Sequence, residues 1–139
     1  MFKTLATCIL VLTFILASAS AYRQYQATSA LAELSDATSA LLAYLITDKL
    51  ALEDNLGFKR PYIVDPHKLT GLKPFHEFGG ENFEFQTTVR YLEEEEHILG
   101  PYGPVPPPDK SICSIEAACA VWVNGQLLAG KLEVKAWGV

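Results

Sequence analysis

Residues 4–22 read TLATCILVLTFILASASAY, an apolar stretch without a single charged side chain. Lys3 and Arg23 bracket this stretch, and the first 56 residues contain neither glycine nor proline. Because glycine and proline are the strongest helix breakers, the pattern predicts one unbroken helix from about Leu5 to about Leu56. The helix should be apolar on all sides up to Arg23 and amphipathic beyond it.

Two interpretations of residues 1–22 stay open. The 19 uncharged residues from 4 to 22 would span about 28 Å as a helix, close to the ~30 Å of a bilayer core. This favours a membrane anchor, with Tyr22 and Tyr25 at the interface. Alternatively, Leu5 to Ala17 is the apolar region of a signal peptide, and residues 19–21 are the small residues required for cleavage before Tyr22. Both interpretations export the rest of the chain.

Residues 23–57 are expected to form an amphipathic helix that ends at Gly57, a typical residue just beyond a helix C-terminus. Their apolar positions recur at a nearly heptad spacing, at Leu31, Leu34, Thr38, Leu41, Leu45 and Leu52. Leu42, Ile46 and Leu50 widen the stripe, which favours packing on a sheet. Alanine and serine fill much of the remaining surface, which either lets neighbouring helices approach closely or reflects helix propensity alone.

The remainder, residues 58–139, is expected to form an antiparallel sheet domain packed on this helix. Residues 62–64 are typical of a short strand, and residues 83–91 alternate apolar and polar side chains, as a half-buried strand does. The most specific local signal is Asn124-Gly125, the preferred pair for a two-residue hairpin turn. Such a turn fixes the register of residues 113–137 by placing Val123 opposite Gln126.

One face of the predicted hairpin is apolar from end to end. Its opposed pairs are Val121–Leu128, Cys119–Gly130, Ala117–Leu132, Ile115–Val134 and Cys113–Ala136. Its other face carries Glu116, Lys131, Glu133 and Lys135, with Trp122 and Trp137 near the ends. Glu116 directly opposes Glu133, a repulsion that either the diagonal lysines or a bulge at Gly130 would relieve. The long helix is expected to cover the apolar face through Leu41, Leu45 and Leu52.

The segments between these elements hold the few side chains that are candidates for binding a metal ion or a partner. Asp65, His67, His76 and Glu77 have no metal-ligand spacing. The acidic run 93–96, which ends at His97, is expected to be a solvated turn rather than a cation site. The proline-rich segment 100–109 is expected to be a stiff extended connection between strands, or a ligand for an aromatic groove.

No catalytic, cofactor-binding or metal-binding residue is predicted, and we expect no cofactor and no enzymatic activity. Cys113 and Cys119 would lie about 20 Å apart on one strand, too far for a disulfide. Only a turn at Ser114 would let them pair. Neither cysteine has a histidine nearby in sequence to act as a base, and the chain lacks a phosphate loop.

Charge also limits the partners. Residues 1–56 hold three basic and five acidic residues, and residues 57–139 hold eight basic and eleven acidic ones. With no basic patch, nucleic acid is not expected as a partner. No small-molecule substrate is apparent. The expected partners are therefore the membrane, through residues 4–22, and other copies of the chain, through the N-terminal helix.

The predicted fold class is α+β: a long N-terminal helix, hydrophobic and then amphipathic, packed on a small antiparallel sheet. This architecture resembles that of type IV pilins and pseudopilins. The apolar run holds no glutamate, and no functional residue is carried over from that family. The resemblance implies a membrane-anchored structural or assembly subunit, exposed at the cell surface, whose helix packs against copies of itself. The alternative is a secreted or anchored envelope binding module with a cleaved signal peptide.

Overall fold

The computed structural model describes residues 2–139, and the chain divides into two units, Met1–Glu33 and Leu34–Val139. The helical elements are α1 (Phe2–Tyr44), a π-helical turn (Leu45–Lys49) and a 3-10 helix (Pro66–Gly71). The strands are β1 (Ala51–Glu53), β2 (Lys59–Val64), β3 (Phe75–Phe78), β4 (Glu81–Glu93), β5 (Glu95–Tyr102), β6 (Cys113–Val123) and β7 (Gln126–Gly138).

The N-terminal helix is continuous where its apolar part ends. Residues 19–25 are helical, so the prediction that no break separates the apolar and amphipathic parts is confirmed. The predicted C-terminal end of the helix is wrong. Helical structure ends at Lys49, and Ala51 begins strand β1 with its side chain fully buried. Sheet pairing with β2 therefore overrides the helix propensity of residues 51–56.

A turn, and not a helix terminus, explains Gly57. The Asp54 carboxylate accepts hydrogen bonds from the backbone N–H groups of Leu56 and Phe58, each at 2.9 Å. This is a side-chain-to-backbone turn of the kind that aspartate favours. It closes the β1–β2 hairpin, and Gly57 takes its φ of +82° within that turn. The expected boundary between residues 57 and 58 thus falls inside a hairpin.

The sheet has seven strands in the order β1-β2-β6-β7-β4-β3, with β5 pairing along the same edge of β4 as β3. The α+β class is confirmed. The sheet is mixed, because β2 and β6 run parallel, and the expectation of a purely antiparallel sheet is wrong on this point. Parallel neighbours need a long connection. Here the 3-10 helix and β3, β4 and β5 supply it.

The β6–β7 hairpin has the predicted register. Asn124 and Gly125 form the turn with φ values of 49° and 80°, as a two-residue turn of this kind requires. Every opposed pair from Val123–Gln126 to Cys113–Ala136 is present without a bulge. The repulsion between opposed Glu116 and Glu133 is relieved on one side only, by Lys135, whose Nζ lies 3.7 Å from the Glu133 carboxylate.

The core lies between the apolar face of this sheet and the helical residues after Leu34. Leu41 and Leu45 pack in one buried cluster with Leu132 and Val134, which confirms the predicted helix-on-sheet contact for the first two leucines. The cluster is Leu41, Leu42, Leu45, Ile46, Leu50, Val64, Leu69, Phe85, Val89, Val121, Leu132, Val134 and Ala136. Leu52 belongs to β1 and is only half-buried, so its predicted place in the helix is wrong.

The face of the sheet opposite the helix is not uniformly solvated. Trp122 and Leu127 are exposed near the hairpin turn, whereas Trp137, at the other end of β7, is 1% exposed. The indole Nε1 of Trp137 donates a hydrogen bond of 3.2 Å to the Glu84 carboxylate. A buried tryptophan needs such an acceptor. The sequence placed Trp137 on the correct face but did not reveal its burial.

Candidate functional site

The apolar segment of α1 meets the physical requirements of a membrane span. Among residues 2–139, α1 and its π-helical continuation form the one helix that is long and apolar enough to cross a bilayer, although a signal sequence meets the same criterion. Two of its threonine side chains are satisfied internally. The Thr7 hydroxyl donates to the Lys3 carbonyl and the Thr13 hydroxyl to the Ile9 carbonyl, each at 2.8 Å. Internal hydrogen bonds of this kind are what a hydrocarbon environment demands.

The candidate metal ligands from the sequence, Asp65, His67, His76 and Glu77, do not form a cluster. Asp65 caps the 3-10 helix by accepting a hydrogen bond of 3.1 Å from the His67 backbone N–H. Glu77 is exposed on β3. In the part of the chain that the structure describes, no group of three or more His, Cys, Asp or Glu side chains is arranged to hold a metal ion.

The acidic run is the turn of the β4–β5 hairpin. Glu94 takes a positive φ of 60° there, and Glu93 pairs with Glu95 across the turn. His97 stacks on Tyr91 with ring centroids 5.0 Å apart, and its Nε2 lies 3.2 Å from the Glu93 carbonyl. The predicted solvated turn is confirmed.

The two cysteines of β6 are unpaired and lie on one face of the strand, as the favoured register requires. Burial raises the pKa of the Cys119 thiol to about 11. A thiol with this pKa stays protonated at neutral pH and is a poor nucleophile. Cys113 packs against a small cluster of Leu34, Ala37 and Phe83.

A pocket of about 410 Å³ lies beside His76. Its lining consists of Leu41, Tyr44, Leu45, Lys49, Gly71, Leu72, Lys73, Phe75, His76, Glu77 and Phe85. The His76 ring stacks on Tyr44 with centroids 6.4 Å apart, and its Nε2 is buried without a hydrogen-bond partner within the described residues. Burial lowers the pKa of His76, so the ring is neutral at pH 7. The lining holds no serine, threonine or cysteine that a neutral imidazole would activate.

A second surface feature is the open edge of β6, which we define as residues 113–118 on the side away from β7. β2 pairs with β6 only through Ile63–Ala120 and Val64–Val121. Immediately before these pairs, Pro61 lacks an N–H donor and Tyr62 has a φ of 66°. Both features turn β2 away from β6, because neither fits a continuous ladder. The edge of β6 upstream of the two pairs is therefore left without a neighbouring strand.

The open edge was missed from the sequence. Residues 62–64 indicated a short strand, but nothing local indicated its parallel partner. The residue that could have indicated the short pairing is Pro61, because proline restricts a strand to the edge of a sheet or to a few paired residues. It predicts that β2 pairs briefly, and it does not identify the strand that is left open.

Comparison with family models, with curated proteins and with solved structures finds no match for this chain.

Proposed function

We propose that this protein is a single-pass, membrane-anchored structural or assembly subunit of the cell envelope, arranged like a pilin and without catalytic activity. Residues 4–22 would hold it in the membrane, and the domain that begins at Leu34 would lie outside. The architecture on which the resemblance to pilins and pseudopilins rests supports this proposal, as do the internally satisfied hydroxyls of Thr7 and Thr13.

The observation that carries the proposal is that the exposure of apolar side chains changes along one helix. Every residue from 2 to 33 is exposed, including large apolar side chains such as Phe14, which is 71% exposed. Further along α1, Leu41 is 2% exposed in the core. Exposed apolar surface such as that of residues 2–33 is unfavourable in water at roughly 25 cal/mol per Å². A bilayer is the environment that covers it.

Membrane extraction tests the anchor. We expect the full-length protein to stay in the membrane pellet after alkaline carbonate washing. The paired change Leu12→Arg and Ile15→Arg should release it, because each charge near the centre of a span costs about 2.5–3.5 kcal/mol. The matched control, Leu12→Ala and Ile15→Ala, should remain in the pellet. Release of the unaltered protein by carbonate would refute the anchor.

The alternative, an exported binding module with a cleaved signal peptide, rests on the small residues at 19–21. Mass spectrometry of the protein from native cells distinguishes the two. An N-terminus that retains residues 4–22 supports the anchor, and an N-terminus at Tyr22 supports cleavage.

Self-association through the helix is the second half of the proposal. The alanine- and serine-rich surface of α1 beyond Arg23 would let two copies approach closely. Chemical crosslinking in detergent micelles should trap oligomers. Ala30→Leu, on an exposed position, should reduce them more than Ala30→Ser. Equal crosslinking of both variants and the unaltered protein would argue against this helix contact.

The absence of catalysis is tested separately. A reproducible hydrolase or transferase activity that is abolished by Cys119→Ala or His97→Ala would overturn it. The raised pKa of Cys119, caused by burial, is the physical reason to expect no such effect at that residue.

A further inference from the structure

We propose that the open edge of β6 binds an extended peptide segment in which a basic residue stands between two apolar ones, and that this segment adds a strand to the sheet. The inference goes beyond anchoring and does not depend on it. It names a binding site in the sheet domain and the chemistry of its ligand.

The hydrogen-bonding pattern of the hairpin identifies the free backbone groups. In a two-residue hairpin the closing pair, here Val123–Gln126, exchanges both hydrogen bonds, and every second pair after it does the same. Ser114, Glu116 and Ala118 belong to the intervening pairs, so their N–H and C=O groups point away from β7. Among the described residues no backbone or side-chain group hydrogen-bonds to them. Three donors and three acceptors are left on one straight edge.

This edge lacks most of the protection that exposed strands usually carry. Proline, lysine and β-bulges are the common means of preventing strand addition. Residues 113–118 contain neither proline nor lysine, and the β6–β7 ladder has no bulge. Glu116 is the only charged side chain of the segment. The edge therefore has few of the features that normally prevent an added strand.

The side chains along the edge define the ligand. Cys113, Ile115 and Ala117 face the helix side of the sheet and remain half-exposed, so they leave apolar surface for alternate side chains of an incoming strand. Glu116 lies between them on the other face and forms no ion pair among residues 2–139. Lys135 engages Glu133 instead. An incoming lysine or arginine opposite Glu116 would pair with it, and its two neighbours would cover Ile115 and Ala117.

A second copy of β6 fits this edge less well than such a peptide. Two β6 strands related by a two-fold axis would use all three free residues of each strand only with Ser114 opposite Ala118. That register places Glu116 directly opposite its own copy. Directly opposed like charges are destabilising, so the charge pattern favours a basic partner.

A synthetic peptide tests the inference. The fluorescein-labelled heptapeptide Val-Thr-Val-Lys-Val-Thr-Val, capped at both ends, is titrated with the full-length protein in detergent micelles and followed by fluorescence anisotropy. We expect saturable binding. Ala118→Pro should weaken it about tenfold or more, because the variant removes one edge donor. Ala118→Val, which keeps the N–H, is the matched control and should bind like the unaltered protein.

Two further measurements do not depend on how the proline variant folds. A peptide N-methylated at the threonines on both sides of the central lysine should lose binding, because its own edge-facing donors are blocked. Glu116→Lys should reject the lysine peptide and bind a version with glutamate at the centre.

Three results of the peptide titrations would overturn the proposal. They are no saturable binding, equal affinity for the N-methylated peptide, and no exchange of preference with Glu116→Lys. Concentration-dependent dimerisation that Ala118→Pro abolishes in the absence of peptide would assign the edge to a second copy and would also refute the peptide.

Discussion

The two strands of one hairpin have the same alternation of apolar and polar residues but differ in burial. On β7, Leu132 and Val134 are fully buried. Their partners across the hairpin, Ala117 and Ile115 on β6, are only half-buried. β7 lies between β6 and β4, whereas β6 has a second neighbour only at its C-terminal end. The difference comes from the neighbours of each strand and not from the strand's own sequence.

The comparison shows how two adjacent residues of one strand can leave the edge of another strand open. β2 runs parallel to β6 and would cover more of it if it continued straight. Pro61 and the positive φ of Tyr62 turn it away. The apolar face of β6 is in contact with the core through residues such as Ile115, yet one side of the strand stays accessible. From Gly130 to Ala136, β7 has no such side, because it pairs there with both β6 and β4.

The clearest expected difference between the two strands comes from proline at one cross-strand pair, Ala118–Lys131. The N–H of Lys131 points toward Arg90 on β4, so Lys131→Pro should remove a ladder hydrogen bond and cost on the order of 3 kcal/mol. Ala118→Pro should cost about 1 kcal/mol or less, because its N–H is free. Urea unfolding of both variants checks this, and equal losses would show that the two strands do not differ.

The second effect concerns the centre of the core. Leu132→Ala on β7 and Leu45→Ala on the helical turn should each lower the free energy of unfolding by about 2–5 kcal/mol, because both side chains are 1% exposed or less. Leu128→Ala, also on β7 but half-buried, is the control and should cost less. A loss below about 1 kcal/mol for Leu45→Ala in chemical denaturation would mean that this helix face is a partner surface and not a core contact.

A smaller effect compares the partners Ile115 and Val134. Val134→Ala removes fewer atoms than Ile115→Ala, yet we expect it to cost more, about 2 kcal/mol against about 1 kcal/mol, because Ile115 is partly in contact with water. Thermal unfolding of the two variants in one detergent measures the order. The reverse order would show that β6 is as enclosed as β7.

The smallest effect extends the comparison to β3, which also pairs on one side only. Burial lowers the pKa of His76 from its ordinary value of 6.5, so the unfolded chain takes up a proton at a higher pH than the folded protein does. Stability should therefore fall as the pH drops below 6.5. His76→Gln should show a shallower decline between pH 7.5 and pH 5.5 in urea unfolding. Parallel curves for the two proteins would mean that the ring is not desolvated.

The hairpin shows what sequence reasoning predicts well. Asn124-Gly125 fixes the turn, and a slip of one residue would move Lys131, Glu133 and Lys135 toward the core. Local turn chemistry and the hydrophobic pattern therefore specify the same register, and the structure has it. The solvated acidic turn before His97 was predictable for the same reason.

The end of the helix and the mixed sheet were not predictable in this way. Residues 51–53 have no helix breaker, and only their pairing with β2 makes them a strand. The parallel pairing of β2 with β6 joins segments more than 50 residues apart, which no local pattern reports. The open edge depends on both features, so it emerged only from the structure. The buried Nε2 of His76 depends likewise on a stacking partner, Tyr44, from a distant helix.

Residue-resolved amide hydrogen exchange along β6 and β7 tests the central claim most directly. The difference between the two strands predicts that the amides of Ser114, Glu116 and Ala118 exchange rapidly, because they have no acceptor, while those of Ile115 and Ala117 are protected by β7. Within β7, the amides from Lys131 to Trp137 should all be protected, since both of its edges are paired. Uniform protection along β6 would contradict this account, because it would show that the edge is already covered.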